Sequence, residues 1–153
     1  YKVVIAAFEL AKTHTGALIV IERDIKLSDI IATGIPMNSE VSPQLLVNIF
    51  VPNTPLHDGA VVITENKIAA AACMLPLASD QDIAKELGTR HRAGIGLSKA
   101  SDGISISVDY APGSKREWTK GNFIVVSMVA HIKSGCFLTA YTTVVSTTIM
   151  IEQ

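Results

Sequence analysis

The chain reads as an α/β fold, a single domain with a central mixed β-sheet flanked by helices. Two observations predict it. Segments with helical spacing of apolar residues alternate with short, β-branched apolar runs, the mark of strands and helices sharing one core. The composition, 48% hydrophobic and 18% charged over 153 residues, suits one globular unit spanning 1–153. No internal repeat, low-complexity tract or linker divides it.

Residues 3–11 carry apolar side chains at helical intervals, with Val4, Phe8 and Ala11 on one side and Ile5 beside them, which predicts an amphipathic helix. Gly16 breaks that pattern. Residues 17–21, Ala-Leu-Ile-Val-Ile, form a continuous apolar run expected of a buried strand. Ser42 and Pro43 supply an N-cap and a first-turn proline for a second helix, which Pro52 ends. Residues 59–64 and 68–75 predict two strands joined at Glu65-Asn66-Lys67, with Asp58 at the strand mouth.

Ser79 or Asp80 caps a predicted helix through Leu87, and the Gly88 loop leads into another helix beginning near His91 or Arg92. Ile104, Ile106 and Val108 alternate with Ser105 and Ser107, the period of a half-buried strand. Residues 112–116 predict a loop. Phe123 to Val126, and later Val144-Val145, read as further strands.

The net charge of −1 excludes a surface adapted broadly to nucleic acid or anionic lipid, so an anion site must be local. Cys73 and Cys136 lie far apart without metal-ligand or redox spacing and read as reduced, buried thiols. The first residues lack the regions of a signal peptide. Residues 134–151 carry no formal charge, but their threonines and β-branched residues suit buried strands better than a membrane helix.

The chemistry concentrates between Asn53 and Arg92. Leu56-His57-Asp58-Gly59-Ala60 offers a carboxylate beside a glycine, and Leu87-Gly88-Thr89-Arg90-His91-Arg92 offers two guanidinium forks about an imidazole. Carboxylate suits a hard divalent cation, and planar guanidinium donors match two phosphate oxygens at once. Together they point to a metal-bound nucleotide triphosphate and to phosphoryl or nucleotidyl transfer. Backbone N–H groups at the following helix start add to the anion site. Gly94-Ile95-Gly96 is not a dinucleotide fingerprint, because the pattern is incomplete and no strand leads directly into it.

Five ordered blocks resemble the bacterial diadenylate cyclases, in particular the membrane-anchored type. They are Gly16-Ala17-Leu18-Ile19-Val20-Ile21-Glu22-Arg23; Thr33-Gly34-Ile35-Pro36; Asn53 through Val61; Ala69 through Leu77; and Lys85 through Arg92. The resemblance implies condensation of two ATP molecules into cyclic di-AMP with release of pyrophosphate, using Mn²⁺ or Mg²⁺, each subunit of a homodimer giving half a site. It implies that Asp58 binds metal or activates the ribose 3′-hydroxyl and that Gly59 lets nucleotide approach the backbone. Thr89, Arg90 and His91 would handle phosphates and metal, with Gly88 and Arg92 beside them. Leu75 and Pro76 would line the adenine pocket, where Met74 replaces a residue often aromatic in relatives. The anchored relatives carry N-terminal membrane helices that this chain lacks, so the resemblance implies a soluble, cytoplasmic catalytic fragment of a protein at the cell membrane.

The resemblance fades after Asp102. Relatives continue with a strand ending in two successive glutamates, the second near the metal, whereas this chain has Asp109-Tyr110-Ala111-Pro112-Gly113. Ala111 cannot coordinate a cation. Asp109 supplies the carboxylate from a shifted position, Glu117 reaches in, or metal binding is impaired. The last alternative makes the chain a catalytically weak nucleotide-binding or regulatory module on the same scaffold.

Overall fold

A computed structural model of the protein describes residues 1–77, 88–111, 123–131, 137–143 and 149–152, with side chains in the first two of these segments as far as Val108. The elements run α1 (Lys2–Lys12), β1 (Ala17–Ile21), α2 (Ser28–Ala32), β2 (Ile35–Glu40), α3 (Pro43–Ile49), β3 (Ala60–Thr64), β4 (Lys67–Cys73), α4 (Thr89–Ala100), β5 (Ile104–Ala111), β6 (Phe123–His131), β7 (Phe137–Thr143) and β8 (Ile149–Glu152). The strands form one mixed sheet in the order β2-β4-β3-β1-β5-β6-β7-β8. Its parallel pair is β1 with β3, in register from Ile19 opposite Val61 to Ile21 opposite Ile63.

That central pair explains the continuous apolar runs. Ala17, Ile19, Val61 and Ile63 face a core with α1 and α3, where Leu10, Leu46, Ile49 and Phe50 are buried. Leu18, Val20, Ala60 and Val62 face a second core with Ala93 and Leu97 of α4 and Leu27. Both faces are covered, so both sets of side chains must be apolar.

β5 departs from the half-buried strand that alternation predicts, since Ser105 and Ser107 are as buried as Ile106 and Val108. The serines are small rather than solvent-facing. A Cβ added to Gly94 of α4 would stand 2.8 Å from Ser105 Oγ, so helix and strand approach closely through the smallest residues on each side.

One expectation for α1 also changes. Its buried face is Ala6, Ala7, Leu10 and Ala11, while Val4 and Phe8 are 48% and 40% exposed; alanines permit the tighter seat on the sheet. The helix stops before Gly16. Thr15 N–H donates to Leu10 O at 2.9 Å and His14 N–H to Ala11 O at 3.1 Å, with His14 at φ 56°, a Schellman closure built on a histidine.

α3 begins as expected, with Ser42 Oγ accepting from Leu45 N at 3.1 Å and Pro43 in its first turn. The β3–β4 hairpin turns through Glu65 and Asn66, both at positive φ, as a tight primed turn requires. Its second strand ends at Cys73 rather than at Leu75. α4 starts at Thr89, earlier than His91.

The sequence reading contains neither α2 nor β2. β2 is the sheet's edge, holds Pro36 and is largely exposed, and an edge strand needs no apolar run. Within 134–151, residues 137–143 and 149–151 are strand, and no described helix is long and apolar enough to cross a membrane. The expected helix through Leu87, the loop 112–116, Cys136, Glu117 and Val144-Val145 lie outside the described residues.

A polar knot closes the end of β1 away from Gly16. Asp102 accepts backbone N–H bonds from Ile25 at 3.0 Å and Asp24 at 3.2 Å. Glu22 accepts from Thr64 Oγ1 at 2.6 Å, Leu27 N at 2.8 Å and Lys26 Nζ at 3.0 Å. The Ile25 N–H bond leads in holding Asp102 below its ordinary range, against an opposing push from burial. Burial pushes Glu22 up, but its donors together outweigh that push and leave it lowered.

Both folded-state values are depressed, so each carboxylate contributes stability present above the unfolded value, about pH 4, and lost as pH falls through the folded one. Urea midpoints should hold at neutral pH and drop as acid is taken below about pH 4. Asp102→Asn and Glu22→Gln should each lower the neutral midpoint and flatten that acid limb.

β3 starts at a bulge, with the register against β4 shifting between Ala60 and Val62. Gly59 has φ 111°, and a Cβ there would lie 2.7 Å from Cys73 O and 2.8 Å from the Ala72 carbonyl carbon. Glycine is therefore demanded by the neighbouring strand itself. Gly59→Ala should destabilise the fold by at least about 2 kcal/mol, read as a lower denaturant midpoint without any nucleotide present.

Candidate functional site

The ends of β1 and β4, the loop before β3 and the start of α4 enclose a cleft of about 570 Å³, within the usual range for small-molecule sites. Leu18, Asp58, Gly59, Ala72, Cys73, Met74, Leu75, Leu77, Thr89, Arg90 and Ala93 line it. Asp58 and the Thr89-Arg90 pair, separated by some thirty positions in the chain, thus share one cavity.

The Asp58 loop is held from behind. Thr54 Oγ1 donates to Val51 O at 2.7 Å, and His57 Nδ1 lies 2.6 Å from Thr54 O. A carbonyl only accepts, so Nδ1 carries the proton. His57 therefore staples the loop that presents Asp58, and it is not among the lining residues.

The opposite wall is the first turn of α4. Gly88 is its N-cap residue, no side chain caps the helix, and a helix start of this kind attracts anions through its N–H groups and dipole. Arg90 is half-buried in this turn. His91 is 4% exposed and Arg92 is exposed; neither lines the cleft, nor do Gly88 and Pro76. Of the expected apolar residues, Leu75 packs against the α4-side core, while Met74 lines the cleft yet is 74% exposed.

Several lining residues carry no motif and escaped the sequence reading. Leu18 and Ala93 belong to the core beneath the cleft, and in the sequence Leu18 is one of a continuous apolar run with nothing to single it out. Thr33 supports the wall without lining it: Met74 N–H donates to Thr33 Oγ1 at 3.0 Å, and that hydroxyl donates to Ile30 O at 2.6 Å. The exposed segment after β4 is thereby tied to α2.

Cys73 is the thiol in the lining, and burial pushes it up to about 11. It is neutral near pH 7, unsuited to nucleophilic attack. Among the described residues no group of three His, Cys, Asp or Glu side chains converges to hold a metal ion, and Asp58 is the one carboxylate in the lining. That set still fits a cation delivered on a triphosphate, because phosphate oxygens and water complete a shell begun by one or two carboxylates. Asp109 lies in β5 opposite Val125 of β6.

The chain is similar to known proteins in sequence and in fold. The chain is 57% identical over 104 residues to the cyclic di-AMP synthase CdaA of Bacillus subtilis, a match covering 68% of this chain and 38% of that protein. It is 55% identical over 104 residues to a diadenylate cyclase of Listeria monocytogenes, with the same coverage. The chain thus spans well under half the length of these relatives. Among solved structures, a double mutant of DacA from Staphylococcus aureus superposes with a TM-score of 0.71 at 42% identity, covering 89% of this chain and 81% of that one. A hypothetical membrane spanning protein from Bacillus cereus gives 0.73 at 39% identity, with 90% and 61% covered. With a family model matched over residues 4–116, the chain belongs to the DAC family, described as DisA bacterial checkpoint controller nucleotide-binding.

Proposed function

We propose that the chain is the catalytic domain of a metal-dependent diadenylate cyclase, which condenses two ATP into cyclic di-AMP at the face between two copies of itself. The shared cleft of Asp58 and Arg90 carries this reading, since one wall suits a cation and the other suits phosphate. The relatives named for cyclic di-AMP synthesis support it.

In this reading Leu18, Met74 and Leu75 bound the adenine, while Arg90, Thr89 and the α4 start hold the phosphates. Asp58 holds the cation or takes the proton of the ribose 3′-hydroxyl. The 3′-oxygen attacks the α-phosphate of the second nucleotide, the new P–O bond forms as the bond to the β-phosphate breaks, and pyrophosphate departs. Repeating the step in the opposite sense closes the ring and releases a second pyrophosphate. A bound divalent cation supplies charge neutralisation on the phosphate oxygens and favours the alkoxide. Mn²⁺ or Mg²⁺ suits the site, with Asp58 as a donor and Asp109 as the second donor we propose. His91, being buried, is left out of the set.

The described residues of a chain bring Asp58 and Arg90 together in one cleft, and two facing attacks on identical nucleotides call for a two-fold pair. A homodimer is therefore the active form, and a monomer binds ATP without cyclising it. The full-length protein in this reading is anchored at the cell membrane with this domain on the cytoplasmic side; the membrane spanning relative supports the anchoring.

A second reading has one observation in its favour. Among the described residues Asp58 is the one lining carboxylate and Ala111 closes β5, which fits a nucleotide-binding module of weak activity.

Incubating the purified chain with ATP and Mn²⁺ and separating the products by chromatography distinguishes the two. Cyclic di-AMP is expected, at a rate per protomer that rises with protein concentration and ceases on chelation. Asp58→Asn should reduce it by at least about a hundredfold, the scale for removing a key charge in a transition state. ATP binding without turnover would select the second reading, and mononucleotide as the product would show hydrolysis instead.

A further inference from the structure

Gly16 lies between the end of α1 and the start of β1, and no motif chemistry attaches to it. Nothing in the backbone there requires glycine. Among the described glycines only Gly59 has positive φ, and the helix has already closed on His14. What glycine provides is space. The three heavy atoms nearest to a Cβ added at Gly16 all belong to the Arg90 guanidinium: Nη1 at 2.5 Å, Cζ at 2.7 Å and Nη2 at 3.2 Å.

Nearly equal distances to Nη1 and Cζ put that Cβ over the guanidinium plane rather than off its edge. A face-on contact uses none of the in-plane N–H donors, and those donors make a bidentate grip on phosphate. We infer that Gly16 is a positioning residue for Arg90: its bare Cα is the seat on which the guanidinium lies flat, fixing the plane in which the fork meets a nucleotide phosphate. The inference rests on the nucleotide reading given above, and it adds the residue that sets the angle of the arginine.

The contact separates function from stability. At Gly59 an added methyl meets rigid backbone, whereas at Gly16 it meets the far end of a flexible side chain. The arginine can swing away at little cost to the fold, but its fork is then misdirected. Gly16→Ala should therefore weaken ATP binding about tenfold, the scale of a lost charge-assisted hydrogen bond. The thermal midpoint should stay within about 2 °C, as for substitutions that leave packing intact.

The test is a double-mutant cycle on the purified chain, with ATP affinity measured by calorimetry and thermal midpoints measured without nucleotide. Gly16→Ala should weaken binding in the native background and have no further effect beside Arg90→Ala, because the seat has lost its occupant. Native-like affinity in Gly16→Ala, or full additivity with Arg90→Ala, overturns the inference. If Gly16→Ala lowers the midpoint, recovery of the Arg90→Ala midpoint in the double variant upholds the contact with the guanidinium, and persistence of the loss overturns it. An unsubstituted chain that binds no ATP sinks the nucleotide reading itself, an outcome separate from a failed cycle in a chain that does bind.

Discussion

The close seat of α4 on β5 is the constraint from which the cleft follows. α4 carries Thr89 and Arg90 in its first turn, and β5 pairs with β1 from Ile104 to Val108. The depth of the helix on the sheet therefore bears on how closely Arg90 approaches Gly16 and the cleft it shares with Asp58. Gly94 against Ser105 Oγ, with Ala93 and Leu97 buried beside them, makes that seat close. Larger residues at these positions would lift the helix and widen the cleft. The buried serines of β5, which look like a solvent-facing set in the sequence, are spacers in this layer.

The central strands were legible because their signal is local. Residues 17–21 and 60–64 must be apolar on both faces, and the tight turn at Glu65-Asn66 has its own chemistry. β2 escaped because an exposed edge strand carries no such pattern, and of the expected α1 face Ala11 is buried while Val4 and Phe8 are not, since small alanines are weaker markers than large apolar residues. Within the site, Asp58, Gly59, Thr89 and Arg90 stood out by residue type. Leu18 and Thr33 did not, since their contributions lie in packing and in one hydroxyl bond across the fold. The resemblance implies phosphate and metal roles for Arg90 and His91 with Arg92 beside them, but helical geometry turns successive residues about 100° apart, and of the three Arg90 alone lines the cleft.

Three glycines around the site answer to three different demands. Gly59 serves a backbone at positive φ pressed against β4, Gly94 serves the approach of a helix to a strand, and Gly16 serves the face of one side chain. The sequence presents them alike. Only the identity of the atom that a methyl would strike separates a glycine the fold requires from one that the chemistry requires.

That distinction bears on how the cleft can act. Cys73 is a neutral thiol at physiological pH, because burial holds it at about 11, which removes the obvious covalent nucleophile from the lining. What is left is a carboxylate, a guanidinium, a hydroxyl and a helix start, groups that position and stabilise charge but form no intermediate. Under the proposed reading, transfer between two nucleotides needs a bound cation besides but no protein nucleophile, since both nucleophile and leaving group arrive with the substrates. Such a site depends on angles more than on reactivity. Under that reading a fork that is charged but misaimed loses its match to two phosphate oxygens, so the residue we infer to orient Arg90 would matter to the reaction although it touches no reacting atom.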